Sequence, residues 1–175
     1  MKKSHIIILL ISFLNFNLTK AQTIDTSNSK IEFKIKGGLI FNVKGTFKGM
    51  EGDFNFNEDD LENSSFDICI DAATVNTDNE KRDNHLRTED FFYVEKYPNI
   101  CFTSTSVSAN GKDYITTGDL TMHGVTKTID IPFKFSNNTF RGSFDIERLD
   151  YKIGEDTGTL TVGSTADVTI ICVIN

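Results

Sequence analysis

The stretch KIEFKIK, residues 30–36, alternates apolar and charged side chains without a break. Ile31, Phe33 and Ile35 fall on one face of an extended chain, and the charged residues between them fall on the other. Because a strand with one dry and one wet face requires this period of two, the stretch predicts a strand in the wall of an apolar interior.

The same alternation recurs along the rest of the chain, and turn signals such as Gly37-Gly38 and Asn110-Gly111 separate the runs. The further runs are FNVKGTFKG at 41–49, GDFNFN at 52–57, SFDICIDAATV at 65–75, NICFTSTSV at 99–107, DYITTGDLTM at 113–122, TKTIDIPFKF at 126–135, TFRGSFDIE at 139–147 and VGSTADVTIICVI at 162–174. Eight or nine strands with mostly short connections predict an all-β, antiparallel fold, either a sandwich or an up-and-down barrel. We favour the barrel because closure removes exposed strand edges.

One segment, DNEKRDNHLRTEDFF at residues 78–92, departs from the alternation. Asn76-Thr77-Asp78 offers N-cap chemistry, and several good helix formers follow, so we predict one short helical insertion here. The two phenylalanines at the end of the segment are expected to turn toward the interior. The segment would then form a lid across one end of the barrel.

Residues 1–21 have the features of a secretory signal peptide: two leading lysines, an apolar run at 6–14 that is too short to cross a bilayer, and small residues at the cleavage position. We predict cleavage before Gln22, one barrel domain over residues 22–175, and a periplasmic or secreted protein. No later segment is apolar enough to span a membrane.

Charge narrows the classes of partner. The whole chain has a net charge of −7, and removal of the signal peptide with its three lysines leaves 15 basic against 25 acidic residues. So acidic a surface argues against nucleic acid or an anionic membrane as the main partner.

Cysteine use is the least decisive feature of the sequence. Cys69, Cys101 and Cys172 are an odd number, which excludes complete pairing, and no CxxC spacing suggests zinc. Each lies in a strand-like run, so we expect small buried hydrophobes. One disulfide with one free thiol is the alternative.

Two segments carry a family resemblance. RDNHLRTEDFFYVEKYPNICFTST at 82–105 and GDLTMHGVTK at 118–127 resemble the signatures of the YceI-like family, and IDTSNSKIEFKIK at 24–36 and FDIERLDYKIG at 144–154 fit its start and end more loosely. The resemblance implies a lipocalin-like barrel of about eight strands, with a helical element between the fourth and fifth. It also implies export and the binding of polyisoprenoids or related long-chain amphiphiles in the barrel interior.

Alternation alone leaves a packed and a hollow interior equally open, because an eight-stranded barrel is either filled by its own side chains or holds one small ligand. The resemblance favours a lipid-holding tunnel. We therefore predict that the partner is a long-chain isoprenoid or related lipid, contacted by inward apolar side chains, by the lid and by arginines facing a head group. The candidate ligand-binding residues are Phe33, Ile35, Phe41, Val43, Phe54, Phe66, Ile68, Phe91, Phe92, Phe102, Phe133, Phe144, Arg87 and Arg148.

The basic side chains of the lid allow two interpretations. Lys81, Arg82 and Arg87 either cradle an anionic head group, which guanidinium groups bind well, or pair with the acidic residues of their own segment. Pairing is the commoner arrangement.

Two other classes of function compete with lipid binding. A metal-assisted hydrolase would draw on His85, His123, Asp83 and Glu89, but Asp83 and His85 are two apart on a helix and point in different directions. There is no GxSxG turn and no Cys-His signature, so we expect no catalysis, no metal and no cofactor. The second competitor is a ligand-free interaction scaffold, and a homodimer through a strand edge or the helix stays open.

Overall fold

The computed structural model describes residues 22–38 and 40–175, so the predicted signal peptide at 1–21 lies outside the described residues. The elements, in chain order, are β1 (Lys30–Gly37), β2 (Phe41–Asn55), β3 (Ser65–Asn76), α1 (Glu80–Leu86), β4 (Asn99–Asn110), β5 (Asp113–Met122), β6 (Val125–Ser136), β7 (Thr139–Glu147), a 3₁₀ turn (Arg148–Tyr151) and β8 (Val162–Val173).

The strands form a closed antiparallel barrel. Each strand pairs with its neighbours in the chain, and β8 pairs with β1 to close the sheet, with Phe33 opposite Val168. Ile31, Phe33 and Ile35 of β1 all face the interior. The predicted up-and-down barrel is thereby confirmed.

The runs at 41–49 and 52–57 belong to one strand rather than two. Gly49 and Gly52, with φ of 70° and 131°, bend β2, and its register against β3 shifts between Thr46 and Glu51. Bulges of this kind curve a strand without ending it. With one strand fewer before it, α1 lies between the third and fourth strands, which corrects the position that the resemblance implied.

The lid helix begins later than the sequence suggested. Asn79, not the triplet at 76–78, is the N-cap, and its side chain accepts a hydrogen bond from the Arg82 backbone N–H at 2.9 Å. Asp78 takes a φ of 57°, and its N–H bonds to the Asn76 side chain at 2.8 Å, so the triplet forms a turn before the helix. In the described part of the chain, no helix has the length and apolar character to cross a membrane.

The barrel has two different ends. At the helix end lie the β1–β2 hairpin, the β3–β4 connection with α1, the β5–β6 turn and the 148–161 segment. At the turn end lie the other three connections, together with a bridge between Ile24 and Ile174. The two ends therefore differ in how the interior is covered.

An aromatic cluster fills the turn end of the barrel. The Phe56 ring packs against five other rings with centroid separations of 5.1–6.1 Å, mostly edge to face. Its neighbours are Phe66, Tyr114, Phe133, Phe135 and Phe140. We call these six residues the aromatic plug.

Two of the three cysteines form a disulfide, which corrects the expectation of three separate buried thiols. Cys69 of β3 and Cys101 of β4 are directly opposite in the sheet, with Cα atoms 4.1 Å apart, and are bonded to each other. Cys172 is free and buried. The long connection between β3 and β4 hides their register in the sequence, so the pairing could not be deduced from spacing.

Candidate functional site

A cavity of about 250 Å³ runs inside the barrel from the aromatic plug to the lid. Leu86, Phe91 and Phe92 of the lid segment contribute to its wall, along with inward side chains of the strands. Among the described residues, the lining side chains with nitrogen or oxygen atoms are those of Thr116 and Arg148. The site is therefore suited to hydrocarbon.

Most of the predicted ligand contacts lie in this wall. They are Phe33, Ile35, Phe54, Phe66, Ile68, Phe91, Phe92, Phe102, Phe133, Phe144 and Arg148. Alternation identifies the members of this set that lie on strands, because every second side chain of a strand within the barrel faces the interior.

Three predicted contacts, Phe41, Val43 and Arg87, do not line the cavity. Phe41 and Val43 are opposite Gly37 and Ile35, hence on the inner face, but β2 pairs with β3 only from Thr46 onward. This part of the hairpin extends past the rim of the barrel, and Phe41 is 58% exposed. The position of the rim depends on strand stagger, which alternation does not reveal.

The predicted set of ligand contacts omitted other members of the wall, most of which lie on strands. They include Phe47, Met50, Ile70, Ile100, Leu120, Met122, Ile131, Phe140, Ile146, Ile153, Val162, Ala166, Val168 and Ile170. Cross-strand register is the signal that finds them: Val168 pairs with Phe33 on one side and Phe144 on the other, so all three share a face.

Arg148 is a buried cation that the backbone surrounds. Its side chain is 4% exposed, and its guanidinium donates to five carbonyl oxygens at 2.6–3.1 Å. The acceptors are the carbonyls of Ile153, Gly154, Thr157, Val162 and Gly163. A guanidinium has five N–H donors, so none is left for a ligand.

Burial lowers the pKa of the Arg148 guanidinium from its ordinary value, although arginine stays protonated in proteins. Removing such a charge from water costs several kcal/mol unless hydrogen bonds compensate it. The five carbonyls provide that compensation and tie the 148–163 segment together.

The other polar lining groups are also satisfied or inert. Thr116 Oγ1 donates to the Ser106 carbonyl at 3.0 Å. Burial raises the pKa of the Cys172 thiol to about 11, so it is neutral and unreactive near neutral pH. The cavity wall therefore offers a ligand no free strong hydrogen-bond donor from a described side chain.

The lid arginines act as structural ties. Arg87 donates to the Ala73 and Val75 carbonyls of β3 at 2.7 and 2.8 Å, and Arg82 donates to Thr77. The expected pairing of these arginines with acidic residues is wrong, since among the described residues no carboxylate oxygen lies within 4.0 Å of either guanidinium. Residues 77–79 alone separate β3 from α1, so both arginines lie within hydrogen-bond distance of backbone carbonyls of residues 73–77.

The lid is also held by a buried carboxylate. Asp83 accepts hydrogen bonds from the backbone N–H and the hydroxyl of Thr77, the former at 2.9 Å. Phe92 packs edge to face on Phe47 at a centroid distance of 5.2 Å. The polar face of α1 thus fixes the helix while the phenylalanines after it close the interior.

The residues of the hydrolase hypothesis are not brought together. His85 Nε2 lies 2.9 Å from Asp90 at the surface, His123 Nδ1 lies 3.1 Å from the Tyr151 carbonyl, and Asp83 is occupied by Thr77. Within residues 22–38 and 40–175, no group of three or more His, Cys, Asp or Glu side chains is arranged to hold a metal ion.

An eight-stranded up-and-down barrel with a lid and an apolar interior defines a lipocalin-like barrel with room for a small ligand. The YceI-like domain matches residues 22–174, and the chain belongs to this family, as the sequence predicted.

Two relatives illustrate the match. A UPF0312 protein of Photorhabdus laumondii is 45% identical over 85 residues, covering 49% of this chain and 44% of that protein. Protein YceI of Escherichia coli is 37% identical over 124 residues, covering 65% of each chain. The chain thus spans less than two thirds of either relative.

Solved structures agree with the fold. The YceI protein of Campylobacter jejuni has a TM-score of 0.68 at 31% identity, over 81% of this chain and 90% of that one. A polyisoprenoid binding domain from Saccharophagus degradans has a TM-score of 0.67 over 89% of this chain and 98% of that one. At 18% identity, this second likeness shows a shared fold.

Proposed function

We propose that the protein binds the hydrocarbon tail of a polyisoprenoid or a similar long-chain amphiphile in the barrel cavity. The observation that carries this proposal is the chemistry of the wall: the polar side chains, Thr116 and Arg148, donate all their hydrogen bonds to backbone carbonyls. A polar acceptor on a ligand would lose its hydrogen bonds to water and find no side-chain donor in the wall, which costs about 1–3 kcal/mol for each group. A hydrocarbon tail has no such cost.

The cavity volume sets how much of the tail is enclosed. An apolar cavity of about 150 Å³ binds one benzene, so about 250 Å³ accommodates roughly ten carbons, or two isoprene units. At about 0.8 kcal/mol per methylene, burial yields ~8 kcal/mol before the cost of association, ~4 kcal/mol or more, is subtracted. The balance corresponds to roughly millimolar affinity, so a tighter complex requires the cavity to enlarge around a longer chain.

The head group lies outside the cavity in this proposal. Arg87 and Arg148 were candidates to hold the head group. Arg87 does not line the cavity and donates to the Ala73 and Val75 carbonyls. Arg148 has all its donors on backbone carbonyls and can act on a head group only through its charge. The tail enters first, and the head group stays in water at the helix end.

The structural likeness to a polyisoprenoid binding domain of Saccharophagus degradans supports an isoprenoid as the first ligand to test. The proposal includes export, from the sequence of residues 1–21, and a role in sequestering or carrying the lipid outside the cytoplasm. N-terminal sequencing of protein recovered from the cell envelope and the medium tests export, and a start at Gln22 is the expected result.

The binding test compares two phenylalanine substitutions. Ala166 lines the cavity between Ile35 and Ile146, so Ala166→Phe fills the space. Ser108 follows the buried Val107 on β4 and is exposed, so Ser108→Phe adds the same side chain outside the barrel. Titration with geraniol, farnesol and geranylgeraniol, followed by native mass spectrometry, measures binding to each variant.

We expect the unmodified protein and Ser108→Phe to bind the prenyl alcohols and Ala166→Phe to lose binding by tenfold or more, about 1.4 kcal/mol. Thermal unfolding of Ala166→Phe checks that the variant is folded. Equal binding by both variants, or no binding by the unmodified protein, contradicts the proposal.

A further inference from the structure

Three large apolar side chains at the helix end are more than half exposed to solvent, and Leu149 of the 3₁₀ turn is 39% exposed. Ile40 and Phe41 of the β1–β2 hairpin are 95% and 58% exposed, and Leu160, just before β8, is 77% exposed. A hydrogen bond from the Gly38 N–H to the Thr161 carbonyl at 2.7 Å joins the two segments. We call Ile40, Phe41 and Leu160 the apolar tip.

The apolar tip continues the wall of the cavity. Gly37 pairs with Val162, which lines the cavity, and on its other side with Phe41. Phe41 is therefore two strand spacings, about 10 Å, from the cavity wall. The Phe41 ring covers Gly37, with a ring carbon 2.5 Å from where a β-carbon would stand, so apolar surface extends from the interior over the rim.

The hairpin that carries the tip is basic although the protein is acidic, so the net charge that argues against an anionic membrane does not describe this hairpin. No acidic residue occurs between Glu32 and Glu51, a stretch that includes Lys36 and Lys44. Within the described residues, neither of these two lysines has a carboxylate oxygen within 4.0 Å. Both are therefore available to an anionic surface.

The other charges of the helix end are acidic in sum. Lys34 is neutralised by Asp167 at 2.7 Å. The 148–161 segment carries one net negative charge, and the connection that contains α1, residues 77–98, carries six acidic and four basic residues. The local excess of positive charge therefore lies on the hairpin that carries the tip.

The size of the tip distinguishes between classes of partner. An ordinary protein interface buries about 800 Å² on each side, whereas a large apolar side chain contributes at most about 150–250 Å². Three partly exposed side chains are therefore too few for a stable protein complex. A bilayer accepts a small apolar projection, and flanking lysines add attraction to anionic head groups.

The geometry points to a membrane-docking site: the apolar tip inserts into the interface of a lipid bilayer, with Lys36 and Lys44 contacting anionic head groups. Docking in this orientation turns the helix end, with the lid, toward the membrane, so a lipid tail that passes the lid moves between bilayer and barrel with little exposure to water. The transfer step rests on the proposed function, whereas the docking does not.

Vesicle sedimentation tests the docking. The purified protein is mixed with vesicles of equal parts phosphatidylcholine and phosphatidylglycerol, and with vesicles of phosphatidylcholine alone. The test variants are Ile40→Ser with Leu160→Ser, and Lys36→Ser with Lys44→Ser. Lys112→Ser with Lys134→Ser is the charge-matched control, because both lysines lie toward the turn end.

We expect binding to the anionic vesicles that weakens with added salt. The apolar double substitution should reduce the partition constant roughly tenfold or more, and loss of the hairpin lysines should reduce it about fivefold for each lysine. The turn-end control should bind like the unmodified protein. Absence of vesicle binding, or equal binding by all three variants, overturns the inference.

Retention of geranylgeraniol by the same variants separates the two proposals. Prenyl binding without vesicle binding leaves the cavity function intact and removes the docking site. Vesicle binding without prenyl binding supports the docking site and contradicts the proposed lipid-binding function of the cavity. If both proposals hold, the apolar variant keeps its equilibrium affinity for the alcohol in solution but extracts it from vesicles more slowly.

Discussion

Arg148 Nη1 donates a hydrogen bond to the Gly154 carbonyl at 2.6 Å, and the same guanidinium reaches the carbonyl of Gly163 at 2.8 Å. One side chain thereby holds the beginning and the end of the segment that leads into β8. Ile153 and Val162 in this segment line the cavity, so Arg148 shapes the helix end of the site from behind.

Replacing Arg148 by alanine should therefore destabilise the protein by about 3–5 kcal/mol, because buried carbonyls lose their donors together. Arg148→Lys should recover only part of the loss, since an ammonium has three donors and no fork geometry. Urea denaturation measures the free energy of unfolding of both variants. Arg141→Ala, at an exposed position of β7, should change stability by no more than about 0.5 kcal/mol. A loss as small for Arg148→Ala would contradict the structural role.

The Cys69–Cys101 disulfide closes a loop with a sequence separation of 32 residues. For such a loop, the chain-entropy account predicts stabilisation of about 3–4 kcal/mol. A reducing agent should lower the free energy of unfolding of the unmodified protein, measured by urea denaturation, by this amount. It should have no effect on the Cys69→Ser, Cys101→Ser double variant, which serves as the internal control. Three free thiols in unfolded, unreduced protein would show that the bond does not form.

The alternation of apolar and polar residues predicted the wall of this barrel more fully than it predicted the ends. Ile31, Phe33 and Ile35 were assigned to the interior because their exposure depends on a period within one strand. The position of Phe41 depends on how far β2 extends past β3, and the partners of Arg148 are carbonyls brought close by folding. Stagger and backbone acceptors leave no periodic signal in the sequence, so the rim of the site escaped prediction.

The Cys172 thiol makes the free energy of unfolding depend on pH in the alkaline range. Burial raises its pKa from 9.0 to about 11, so it ionises in the unfolded chain before the folded one. The contribution of this thiol to the free energy of unfolding is fully present below pH 9.0. It is lost as the pH rises through 11, and the loss is about 2–3 kcal/mol in total. Burial raises the pKa of Tyr151 too, so the informative quantity is the difference between the unmodified protein and Cys172→Ala. That difference should shrink as pH rises across this interval, and a constant difference would contradict the assignment.

The Phe56 ring separates the cavity from the turn end, because it contacts Phe66, Phe133 and Phe140, which line the cavity, without lining it itself. Phe56→Ala should destabilise the protein by about 3–5 kcal/mol in urea denaturation. Phe41→Ala, at an exposed ring, should cost less than about 1 kcal/mol. The vacated space would extend the cavity, so Phe56→Ala should strengthen binding of geranylgeraniol more than binding of geraniol. If the affinities for the two alcohols change equally, the plug does not set the length of the tail that the barrel encloses.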